Sequence, residues 1–412
     1  MSASHRKFFL LLFVIVALFQ VASIFSPHIE GDELVYLSLS KNMGWDLTNY
    51  TVMDVAPLNQ FPNRLYREPV FIHPPLFPLI LKTGALLINP VLFGILFNGM
   101  LKFALAVLMW RFALALGSSM MTAQAVAVFV TACPILGFIS SRILIDMSFT
   151  LSIVAAIFLL IRSVGSDTYK NLTLAVICIC ILLNTKIQAV LYLPLFAFLY
   201  IMAIRSAFQK QLLTSIALRK QILISILLIG VVGLSHHFRL LLNLGFQECL
   251  HILDVEKPFN PFMLRIIARS LPKYIVYLAM IHPIVVILVA PRFWIEVRQS
   301  IGNIPDPVLY LGLSILYSTL VTLLLSPAQE RYWAHVFPLI FLFIAVLYEK
   351  RCEVFKKTGN YRLIYASYIV LLFMNQFDTN VLTAGSRTAI VFPATMKLFP
   401  FLLMEGGPFF NF

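Results

Sequence analysis

The sequence predicts an all-α polytopic membrane protein, and three observations carry that prediction. Hydrophobic residues form 60% of the 412-residue chain and charged residues only 12%. Apolar runs of about 20 residues, enough for a helix to cross a hydrocarbon core, recur from end to end. Basic residues collect on alternate connections between those runs. A water-soluble chain cannot hide so much apolar surface, so two soluble domains are excluded.

The apolar runs place about eleven spans, near 8–26, 91–116, 121–139, 143–163, 171–185, 187–204, 221–235, 274–290, 307–326, 334–348 and 363–377. A short interfacial helix is expected near 75–88, and the apolar stretch 389–404 is expected to dip into the membrane. The first run is read as a span and not a cleaved signal, because no small-residue cleavage site precedes the acids that follow it. Cys133, Cys178, Cys180, Cys249 and Cys352 are scattered and imply no disulfide framework. Cys178 and Cys180 lie two apart on a helix and point to different faces, which suits packing better than a metal pair. No internal repeat stands out.

Charge fixes the orientation. With Arg6 and Lys7 in the cytosol, the cytosolic connections also hold Arg162, Lys170, Arg205, Lys210, Arg219, Lys220, Arg292, Arg298, Lys350, Arg351, Lys356, Lys357 and Arg362. Only Asp167, Glu296, Asp306, Glu349 and Glu353 accompany them, while acids and bases nearly balance on the other side. This is the positive-inside pattern. The net charge of +13 therefore reflects topology and lipid headgroups and excludes a nucleic-acid footprint. One membrane domain is expected over 1–377, with outer loops at 27–90 (containing interfacial helices) and 236–273. An outer tail without a separate soluble domain is expected at 378–412.

Five segments gather polar groups on the outer side. Gly31 to Met43 reads GDELVYLSLSKNM, and Phe71 to Leu79 reads FIHPPLFPL. Ser141 to Met147 reads SRILIDM, Leu182 to Pro194 reads LLNTKIQAVLYLP, and Ser326 to Trp333 reads SPAQERYW. Over about residues 8–348 this order resembles the GT-C glycosyltransferases, in the branch of the lipid A aminoarabinose transferases and protein O-mannosyltransferases. The resemblance implies a GT-C bundle that moves a sugar from a polyprenyl-phosphate carrier to an acceptor hydroxyl outside the cytosol, with inversion at the anomeric carbon. It needs no cofactor; some GT-C enzymes use a divalent ion on acidic pairs, but no spacing here demands a metal.

The resemblance also assigns roles. Asp32 matches the family's acid and is expected to be the general base, with Glu33 orienting it or binding a sugar hydroxyl. Tyr36 matches a family aromatic on the same helical face as Asp32, and Val35 stands where some relatives carry an arginine. His73, Lys186, Arg331 and Tyr332 are expected around the carrier phosphate, where arginine suits bidentate recognition. Asp146 matches the second acid and, with Arg142, shapes the sugar or acceptor pocket.

Each residue also has a bland reading. Asp32 and Glu33 read as solvated loop acids, and His73-Pro74-Pro75 as a helix start. Arg142 and Asp146 read as a pair four apart on one helix. Lys186 reads as a snorkelling lysine, and Arg331-Tyr332 as part of an interfacial belt. Lys102, inside a span, faces either the bundle interior or a carrier groove. His236 and His237, being adjacent, suit a joint metal site poorly and read as interfacial polar residues.

The expected partners are a polyprenyl-phosphate-linked sugar, a lipid or cell-envelope glycan acceptor and membrane lipids, with no nucleic acid. A bacterial inner membrane is favoured, with the endoplasmic reticulum as the alternative; Asn49-Tyr50-Thr51 is a sequon on the outer side. Two other classes fit many spans with an outward cavity. A transporter or flippase should show paired broken helices or inverted repeats, which the sequence lacks. A non-catalytic lipid-binding subunit should lack the acidic pair, which is intact.

Overall fold

The computed structural model describes residues 3–25, 27, 29, 32–47, 50, 73–164, 168–209, 215–247, 306–325 and 330–351. Among them every regular element is helical. The expected spans at 274–290 and 363–377, the stretch 389–404, Asn49, Cys249, Cys352, residues 51–72 of the first outer loop and most of the second lie outside the described residues.

The first span is α1 (Ala3–Phe25), apolar on all sides, with Leu10, Phe13 and Leu18 exposed as befits a lipid-facing helix. Two short helices follow, α2 (Asp32–Asn42) and α3 (Leu76–Gly84). Then comes α4 (Pro90–Ala115), whose start is fixed by Pro90 and by Asn89, which accepts from the N–H groups of Val91 and Leu92.

The expected span 121–139 is divided into α5 (Met120–Ala132) and α6 (Pro134–Ser140). Pro134 forces Cys133 before it into an extended conformation (φ −63°, ψ 121°), so the helix stops there. After α7 (Asp146–Ser163) come α8 (Thr168–Leu183), a 3₁₀ turn over Ile187–Tyr192 and α9 (Leu193–Gln209).

Next, α10 (Ser215–Leu227) runs on as π-helical turns over Leu228–Gly233, and the axis then bends by 50° into α11 (Ser235–Leu244). Asn184 braces this bend. Its amide donates to the Val232 and Gly233 carbonyls, while its own backbone carbonyl accepts the Leu76 N–H at the start of α3. The last described helices are α12 (Asp306–Leu325) and α13 (Val336–Arg351), with a 3₁₀ turn at Glu330–Trp333 before α13.

Four of these helices are long and apolar enough to cross a membrane, five if the bent α10–α11 pair counts as one; α5, α8, α12 and α13 are shorter apolar helices. The protein is an integral, multi-pass membrane protein.

Two cores join the described helices. The large one surrounds α7, which packs against α4, α8, α9 and α12 and buries residues on every side. The small one joins α2 (Val35, Tyr36, Leu39), α3 (Phe77, Leu81), Ile95 of α4, and Ile143 and Ile145 from the turn between α6 and α7. Where water is the alternative, each such side chain stabilises by about 1.5–3 kcal/mol. The small core fixes the first turn of α2 beside the first turn of α7, and the candidate site lies there.

Candidate functional site

Asp32 and Glu33 open α2, where carboxylates suit the exposed N–H groups and positive end of the helix. Consecutive residues on a helix diverge by about 100°, and these two part completely. The Asp32 side chain is 41% exposed and accepts a hydrogen bond from Arg331. Glu33 is buried, accepts from the Ile143 backbone N–H at 3.1 Å and lies 3.9 Å from Arg142.

Arg331 also reaches Asp146, at 4.0 Å. Asp146 in turn accepts from Lys186 at 2.8 Å, and both are buried. The result is an alternating row, Asp32–Arg331–Asp146–Lys186, from four distant segments of the chain. Burial opposes the Arg331 charge, but Asp146 and Asp32 outweigh it, so its pKa stands above that of an ordinary arginine. Lys186 lies over the Tyr332 ring at 4.0 Å and near Phe149 at 5.4 Å, a cation–π sandwich.

Tyr36 is buried between His73 and Phe77, with ring centroids at 5.7 and 5.4 Å. Burial, then Asp32 and Asp146, raise its pKa well above 10, so the phenol stays neutral. His73 is half-buried, and the Tyr50 hydroxyl donates to its carbonyl at 2.8 Å. Burial lowers the His73 pKa to about 4; Lys186 and Arg331 add to that, against Asp32 and Asp146. Its imidazole is therefore neutral at pH 7 and offers a hydrogen bond without a charge.

The structure thus brings Asp32, Tyr36, His73, Asp146, Lys186, Arg331 and Tyr332 together. Arg142 and Glu33 stand slightly apart, paired with each other. Three bland readings are corrected. Arg142 does not pair with Asp146 along one helix, because α7 begins only at Asp146 and Arg142 lies in the preceding turn, over Phe138. Lys186 does not snorkel: an extended backbone (φ −141°, ψ 133°) turns it inward to Asp146. His236 is buried against Tyr50 rather than interfacial, while His237 contacts the Ile187 carbonyl.

Val35 packs in the small core and makes no part of the charged row. Lys102 faces the bundle interior, fully buried and in electrostatic contact with Cys133. Among the described residues no group of three or more His, Cys, Asp or Glu side chains is arranged to hold a metal ion. The acids of α2 do not fit a divalent ion as a pair, since Glu33 turns to a backbone N–H and Asp32 to a guanidinium.

Sequence reasoning missed two buried polar groups. His335 shares a 2.7 Å hydrogen bond with Tyr192 beneath Phe149, within electrostatic range of Lys186 and Asp146. Asn98 of α4 bonds the turn before α7. The available signal was their rarity, since a polar side chain inside an apolar helix is costly without a task.

No family model and no curated protein matches the chain by sequence. Among solved structures, ArnT from Cupriavidus metallidurans, crystallised bound to undecaprenyl phosphate, superposes with a TM-score of 0.58 at 12% identity. The match covers 92% of this chain and 71% of ArnT. The chain shares the fold of ArnT. At this identity the likeness is one of fold alone, and it agrees with the all-α membrane bundle expected from the sequence. Within the fold shared with ArnT, the charged row joins the start of α2, the start of α7, the α8–α9 connection and the turn before α13.

Proposed function

We propose that this protein is a membrane glycosyltransferase that takes a sugar from a polyprenyl-phosphate carrier and places it on a hydroxyl of a lipid or cell-envelope glycan. The observation that carries the reading is the row Asp32–Arg331–Asp146–Lys186, with the carboxylate and the guanidinium at its exposed end. The ArnT fold, and the carrier bound to ArnT itself, support the choice of carrier.

In this reading the acceptor oxygen attacks the anomeric carbon while Asp32 takes its proton. The bond from that carbon to the phosphate oxygen breaks, and the carrier phosphate leaves with the electron pair. Arg331 meets the growing charge on the phosphate, and neutral His73 donates one hydrogen bond. Asp146 and Lys186 hold Arg331 from behind, and Tyr332 covers Lys186. Before the donor binds, Arg331 occupies Asp32; a donor phosphate supplies Arg331 with another anion and releases Asp32 toward the acceptor.

The reaction is assigned to the non-cytosolic face, in a bundle of about eleven spans that includes 274–290 and 363–377. The bacterial inner membrane is favoured. A cysteine-accessibility scan of the connections tests the topology.

The decisive experiment is transfer by purified protein in lipid nanodiscs, with lipid analysis of a deletion strain to find the accumulated polyprenyl-phosphate sugar. Asp32→Asn should fold and insert but lose about 10²–10⁴-fold in kcat, the usual worth of a general base. Full activity of that variant removes Asp32 as the base. A wild-type protein that neither binds polyprenyl phosphate nor transfers sugar sinks the reading.

A further inference from the structure

We propose that Asn98 is a positioning residue for the site, working with Glu33 to clamp the turn that carries Asp146. The clamp rests on the glycosyltransferase reading only for its activity readout.

The turn over residues 141–145 links α6 to α7, and α7 starts at Asp146 without a side-chain cap. The path of the turn therefore decides where Asp146 stands. Three hydrogen bonds from distant elements fix that path. The Asn98 amide donates to the Arg142 carbonyl at 2.7 Å and to the Leu144 carbonyl at 2.9 Å. Glu33 accepts the intervening Ile143 N–H at 3.1 Å. Asn98 is fully buried and Glu33 nearly so.

The amide of Asn98 has one workable orientation, because the flipped one would set its oxygen against two carbonyl oxygens. Gly94, one helical turn earlier on the same face of α4, completes the fit. A Cβ there would stand 3.0 Å from the Ile143 side chain, so α4 is shaped to receive this turn. Ile143 and Ile145 then pack with Val35, Tyr36 and Leu39 of α2.

The consequence is geometric. Glu33 belongs to the same helical turn as Asp32, and Ile143 lies three residues before Asp146. A single bond between them sets the first turn of α2 against the first turn of α7. Asn98 holds the carbonyls on either side of that bond. Together they define the gap between Asp32 and Asp146, which Arg331 spans. The two adjacent acids of α2 thereby divide their work, with Asp32 facing the site and Glu33 holding its frame. A misplacement of about 1 Å at such a site can cost on the order of 10²-fold in rate.

Two measurements on the full-length protein in nanodiscs test this. The first is a double-mutant cycle on sugar transfer. Asn98→Ala should lower kcat about 10- to 100-fold with a smaller change in donor KM. In an Asp146→Asn background the same substitution should cost less than about threefold, because Asn98 acts through Asp146. Full additivity would overturn the proposal.

The second is hydrogen exchange over residues 141–146, which needs no activity. Asn98→Ala and the near-isosteric Asn98→Asp should both speed exchange there. Glu33→Ala should speed it more than Glu33→Gln, whose amide oxygen can still accept the Ile143 N–H. Unchanged exchange in these variants would overturn the clamp. Faster exchange together with no wild-type transfer would uphold the clamp and remove the glycosyltransferase reading. Should one Asn98 variant fail to insert, the other and the Glu33 pair decide the outcome.

Discussion

The ion pairs at the two ends of the charged row differ in one respect that separates their roles. Asp146 and Lys186 have side chains only 3% and 5% exposed, whereas those of Asp32 and Arg331 are 41% and 23% exposed. A buried pair cannot exchange partners without leaving a charge stranded, so it acts as fixed structure. A half-exposed pair can open to an arriving anion at little cost, since water shares the solvation of both groups. The same two kinds of group thus serve as scaffold at the inner end of the row and as reactive parts at the outer end.

Removing one member of the inner pair should have the largest effect. Lys186→Ala leaves Asp146 buried beside Arg331 alone, and breaking a buried pair typically costs about 3–5 kcal/mol. Thermal unfolding in detergent should show this, and the double variant Lys186→Met with Asp146→Leu should recover much of the loss. If Lys186→Ala unfolds like the wild type, the inner pair is not structural and the contrast between the pairs fails.

The outer pair should answer in activity instead. Arg331→Ala should reduce kcat/KM for the donor by about 10- to 100-fold, the worth of one or two charge-assisted hydrogen bonds. Its unfolding midpoint should move much less than that of Lys186→Ala. An equal loss toward donor and acceptor would count against a phosphate role for Arg331.

A third expectation concerns pH. The folded protein holds His73 at a pKa of about 4, below the ordinary value of 6.5, chiefly through burial. The unfolded chain therefore binds the extra proton first, and stability should decline as pH falls from about 6.5 toward 4. Above that window the contribution is fully present. His73→Asn should flatten this part of the stability–pH curve, and an unaltered slope would show that His73 is not its source.

The smallest effect should come from Arg142→Gln. Its contact with Glu33 is 3.9 Å long, beyond hydrogen-bond distance, and Glu33 keeps the Ile143 N–H when Arg142 is replaced, so the loss should stay well below that of Lys186→Ala. A loss as large as that of Lys186→Ala would move Arg142 from the frame into the reactive row.

Much of the site was legible because acids and bases are scarce in an apolar chain. Asp32, Asp146, Lys186 and Arg331 were each visible as charges at helix ends, and the motif order grouped them before any contact was known. The partners were not legible. Arg142 and Asp146 have helical spacing, but spacing does not reveal that α7 begins at the second of them. Glu33 next to Asp32 looked like part of one functional pair, yet the helix sends the two carboxylates apart. For Lys186 the choice between snorkelling outward and turning inward rests on one extended residue between two helices. Spans showed the same limit, since Pro134 divided a continuous apolar run into α5 and α6.

The bend between α10 and α11 has a mechanical consequence. Asn184 grips the carbonyls of Val232 and Gly233 with its side chain and the N–H of Leu76 with its backbone. Leu76 follows His73 by three residues. The Asn184 bonds therefore tie the π-helical elbow to the start of α3, three residues beyond the imidazole. One asparagine thus joins the elbow between α10 and α11 to the segment that carries His73.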